Sequence, residues 1–225
     1  MRVLRASPLL RRAAPTLLAA ATVLFLADEV VAQTRVSARD AMTERLEVPV
    51  FPGQLVEATL TLPAFDEAPY PAVLLLAPRE PDAPPAATAG AVTAALLERG
   101  VAVVRLDVLP GVAEPPADAE PLDQPADDAY AVLQFVRERE DVDGDRVGIL
   151  GVGSAADHAA RAALLDEATR ALVLLGVAQA DADTLGLPTG FPLLSLPLDV
   201  RAAPPGRAEA TPVSDAAAFL ARQLQ

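Results

Sequence analysis

Few residues in this sequence combine a chemical type and a spacing that support bond making. Ser154 sits in a glycine-rich stretch, Gly151-Val152-Gly153-Ser154-Ala155, and His158 stands four positions further on. A serine hydroxyl becomes a nucleophile when an imidazole takes its proton and an acid orients that imidazole; Asp199 is the candidate acid. His158 is the only histidine in the chain, so no other residue offers such a base. Placed on the same helix as Ser154, its side chain leans back toward the helix start. That permits a local contact, and the plainer expectation is a partly exposed helix histidine.

Two other clusters invite a chemical reading. Gly151, Gly153 and Ala156 match the pattern G-x-G-x-x-A, in which backbone donors at a helix start cradle a pyrophosphate. Here the match follows two earlier strand and helix pairs instead of the first strand, and no acid closes a strand about 20 residues on, as the nucleotide ribose requires. Asp141, Asp143 and Asp145 alternate as hard oxygen ligands do, yet the run is too short for a calcium loop and lacks its distal glutamate. Gly144 within it points to a solvated turn. The expectation is no metal and no cofactor.

Such residues need elements to hold them. Residues 45–50 and 55–62 alternate apolar and polar positions around Phe51-Pro52-Gly53-Gln54, the pattern of an antiparallel hairpin. Residues 72–77 form a continuous apolar run, which predicts a strand buried on both faces of a parallel sheet. Proline-rich loop follows at 79–87. Then Ala91, Val92, Ala95 and Leu96 recur at helical spacing before Gly100, a natural helix end. A second buried strand spans 101–106 and ends at Asp107. After an acidic, proline-rich loop at 108–124, helix is predicted to about Glu138, with Pro125 in its first turn. Strands at 147–151, 171–176 and 192–196 and helices at 154–166 and 212–224 complete the pattern. Alternating strands and helices make a mostly parallel sheet covered on both faces, whose site lies at the carboxyl ends of its strands. Those ends fall near Pro78, Asp107, Gly153 and Asp199.

Four segments in this order, LVEATLTLP at 55–63, YPAVLLL at 70–76, LERGVAVVRLD at 97–107 and DRVGILG at 145–151, resemble the α/β-hydrolase family. The likeness is to its dienelactone-hydrolase-like and acyl-esterase branches, and it covers residues 45–180. It implies a three-layer α/β/α fold, mostly parallel, with an antiparallel N-terminal hairpin and a shortened C-terminal part. It also implies a nucleophile elbow: a small residue, any residue, the nucleophile, any residue, a small residue, because the bend leaves no room for larger neighbours. Gly151, Gly153 and Ala155 fit that pattern with Gly153 in the nucleophile's place. Shifting the frame by one makes Ser154 the nucleophile but puts Val152 where a small residue belongs. The family's histidine comes from a loop after the last strand, and no histidine follows His158. Pro192 to Asp199 resembles the strand that delivers the acid, about two residues short. Ala77-Pro78 stands where the family has His-Gly beside its oxyanion donors, and proline removes one backbone donor. The resemblance therefore implies an impaired or inactive relative that binds an unknown small molecule or protein, with an ester or lactone hydrolase using Ser154 as the alternative and a dinucleotide binder as the second.

Composition narrows the field further. At 225 residues and 52% hydrophobic content the chain can bury a core, much of it alanine. All 18 basic residues are arginine, which excludes lysine Schiff-base chemistry and a P-loop lysine. A net charge of −13 disfavours nucleic acid and anionic membrane surfaces. With two Tyr, six Phe and no Trp, platforms for stacking single-stranded bases are scarce. The absence of cysteine rules out disulfides and thiolate chemistry. Arg2, Arg5, Arg11 and Arg12 precede an apolar stretch at 13–27 and a short-residue run, Val30-Val31-Ala32, before Gln33. This pattern predicts a signal peptide over 1–32, a polar linker over 33–44 and a domain over 45–225. The apolar stretch falls short of the ~20 residues a membrane span needs. Cleavage removes four arginines and two acids, taking the charge to −15, and sends a membrane-free product to the periplasm or beyond.

Overall fold

A computed structural model describes residues 35–38, 41–51, 54–64, 68–79, 84–108, 124–177, 185–188, 190–197 and 210–225. The proposed signal peptide lies outside these residues. Strand β2 (Ala41–Phe51) pairs antiparallel with both β1 (Arg35–Ala38) and β3 (Gln54–Pro63). Strand structure thus begins well before residue 45, within the stretch expected to be a polar linker. The reason is pairing: Ala41 to Glu44 lie opposite Pro63 to Leu60, and that ladder satisfies backbone groups whatever the side chains.

The strands β4 (Tyr70–Pro78), β5 (Ala102–Val108), β6 (Val142–Val152), β7 (Leu172–Leu175) and β8 (Leu193–Leu196) are mutually parallel. The eight strands form one sheet in the order β1-β2-β3-β5-β4-β6-β7-β8. β3 joins the parallel part by pairing antiparallel with β5. The apolar run of β4 earns its central place, since Leu74, Leu75 and Leu76 are all within 2% of complete burial. Fully burying each such side chain contributes about 1.5–3 kcal/mol.

Among the described residues four helices cover the sheet. They are α1 (Pro84–Leu97), α2 (Gln124–Arg137), α3 (Ala156–Leu165) and α4 (Ala210–Gln223). α1 starts inside the stretch predicted as loop, because Pro84 and Pro85 occupy a first turn whose amides need no partner. Gly100, at φ 74°, ends the turn that follows α1 and returns the chain to β5. One face of the sheet, carrying Leu74, Leu76 and Ile149, packs against Ala129, Val132 and Leu133 of α2 and the alanines of α3. The other face, carrying Val73, Leu75 and Leu150, packs against Val92 and Leu96 of α1 and Leu220 and Leu224 at the α4 end of the chain. Alternation along each strand divides the two sets. The arrangement has the three layers, mostly parallel sheet and N-terminal antiparallel hairpin expected from sequence.

At the boundary of β4 and β6 the topology has a switch point, the place where open α/β sheets offer a crevice. β4 and β6 are neighbours, but the chain leaves β4 toward the α1 face and leaves β6 toward the α3 face. At such a switch point the connections diverge and leave room outside the carboxyl ends of the strands.

Candidate functional site

The bend after β6 forms one wall of that crevice. Val152 is extended, at φ −119° and ψ 128°, and Ala156 is helical, at φ −64° and ψ −38°. Between them a single 3-10 turn, Gly153–Ala155, reverses the chain, and its first residue carries the whole change, with Gly153 at φ 58°. A side chain in this left-handed region is strained by about 1–2 kcal/mol, and glycine avoids that strain.

Crowding around the bend sets the residue sizes. A Cβ placed on Gly151 would lie 2.6 Å from the Cα of Ala156 and 2.6 Å from the Cβ of Ala159, so α3 rests directly on the strand. Ala155, two residues beyond the apex, is 1% exposed. The small, apex and small positions are thus Gly151, Gly153 and Ala155. Val152 is fully buried against the α1 and α4 face, so the frame shifted by one residue does not match this geometry.

Ser154 follows the apex and is exposed, and His158 lies half-buried in α3. Asp199 lies outside the described residues. At the other wall, the pairing of β4 with β5 runs to the last residue, Pro78 opposite Val108. Pro78 has no N–H, and the Arg79 N–H donates to the Val108 carbonyl at 2.9 Å. Two successive positions at this strand end therefore present no spare backbone donor. At the end of β5, Asp107 accepts from Arg105 Nε at 2.7 Å, both side chains a third or more exposed.

The densest charge pairing lies at the opposite end of the parallel strands. Glu44, on β2, is buried and accepts from Arg139 Nη2 at 2.9 Å, and the same guanidinium grips Asp141 at 2.8 Å. Its hydrogen bond to Asp141, followed by the charges of Asp141 and Glu44, raises the Arg139 pKa further against the opposing effect of burial. Arg137 pairs with Asp166 at 2.7 Å and also donates to the Gly144 carbonyl, while Thr169 Oγ1 donates to Asp166 at 2.6 Å. Sequence reasoning missed this network. Its signal was Glu44 itself, which shares strand parity with Leu46 and Val48 and so faces the core.

Two of the three carboxylates in the run read for calcium ligation are engaged by arginines. Asp141 is taken by Arg139, and Asp143 accepts from Arg146 Nε at 2.6 Å and from the Asp145 N–H at 3.1 Å. Among the described residues no group of three or more acidic, histidine or cysteine side chains is placed to hold a metal ion. No helix among them is long and apolar enough to cross a membrane.

No protein-family model matches this sequence, and no curated protein matches it closely. Solved structures do. A cold-adapted esterase from an Arctic intertidal metagenomic library superposes with TM-score 0.60 at 18% identity, covering 85% of this chain and 98% of that one. The chain has the α/β-hydrolase fold. EstE1, a thermostable carboxylesterase cloned from a metagenomic library, gives TM-score 0.57 at 17% identity over 84% of this chain and 92% of its own. A CE15 glucuronoyl esterase from Teredinibacter turnerae gives 0.51 at 17% identity over 66% of this chain and 45% of its own. At these identities the likeness is one of α/β-hydrolase architecture.

Proposed function

We propose that this chain is an exported α/β-hydrolase-fold protein, derived from the dienelactone-hydrolase-like and acyl-esterase branches, that binds a small molecule or a partner protein at the crevice between β4 and β6 without serine catalysis. One observation carries the reading: Gly153, with no side chain, holds the left-handed apex of the elbow at φ 58°. The engaged donor at Arg79 and the missing donor at Pro78 support it, because a tetrahedral oxyanion needs free donors at that wall. The lack of any histidine after His158 supports it as well.

The purified chain from Gln33 onward tests the proposal against a panel of p-nitrophenyl esters and lactones. Turnover at background is expected, together with no labelling of folded protein by a fluorophosphonate probe. Turnover that disappears in Ser154→Ala, with Ser154 labelled, would instead establish a hydrolase built on the exposed hydroxyl beside the apex. A thermal shift with millimolar NAD(H) or NADP(H) would favour the dinucleotide reading; the bend accounts for Gly151 by close helix packing and for Gly153 by its left-handed φ.

A further inference from the structure

We draw no further inference here: the strongest candidate, the outer edge of strand β8 with the half-buried side chains of Leu193, Leu194 and Leu196, carries nothing because no feature of the described residues shows what covers it.

Discussion

At the scale of single residues, the bend after β6 separates the two absences on which the proposed function rests. Gly153→Ser restores a hydroxyl at the apex but introduces a side chain at φ 58°. The expected result is a fall in stability of about 1–2 kcal/mol in urea denaturation. Ester turnover should stay at background, since no imidazole follows His158 in the chain. Strong turnover in this variant would show that a proton acceptor does reach the apex. A second residue reports through pH. Asp143 is held below the ordinary carboxylate range, chiefly by its hydrogen bond from Arg146, with the Asp145 N–H and the charges of Arg146 and Arg170 adding to it against some desolvation. A folded value below the unfolded one, about 3.9, means that the carboxylate adds stability above that pH and loses it as pH falls through the folded value. Asp143→Asn should therefore be less stable than the parent chain at neutral pH, with the gap closing in strong acid. A gap of constant size from neutral to acid would show that the ionised form is not what stabilises the start of β6.

Among the elements, the contact between α4 and the sheet can be probed by a small change. Gly148 of β6 faces the α1 and α4 side, and a Cβ there would meet Leu220 Cδ2 at 3.2 Å and the Ala171 carbonyl at 3.3 Å. The leucine end can swing by a few tenths of an ångström, whereas the carbonyl is backbone. Gly148→Ala should therefore destabilise modestly, and Gly148→Val by more, about 1–3 kcal/mol, through overpacking. Equal stability of Gly148→Val and the parent chain would mean that α4 sits farther from β6. The same reasoning explains the alanines of α3. Ala156, Ala159 and Ala160 are fully buried, and their small side chains let the helix lie on Gly151.

For the whole molecule, the proposed export makes a mass prediction. The secreted form should begin at Gln33 and migrate as a species of net charge −15, which intact mass and charge-shift electrophoresis read directly; a product retaining Met1 would sink that part of the proposal. Much of the architecture was legible beforehand. The run at 72–77, the helical spacing of Ala91 to Leu96 and the apolar face from Ala126 to Val136 all recur as β4, α1 and α2. These depend on local periodicity, which a sequence states outright. The absence of a side chain at Gly153, of lysine and cysteine, and of any second histidine is likewise a matter of sequence, and no fold can supply a missing group. Other facts needed three dimensions because they depend on partners far apart in the chain. The sheet order put β6 beside β4, and so Gly153 across a crevice from Pro78. Long-range pairing brought Glu44 to Arg139, 95 residues away, and closed the Arg79 amide on Val108. A sequence records which donors and acceptors exist; only packing decides which of them are already taken.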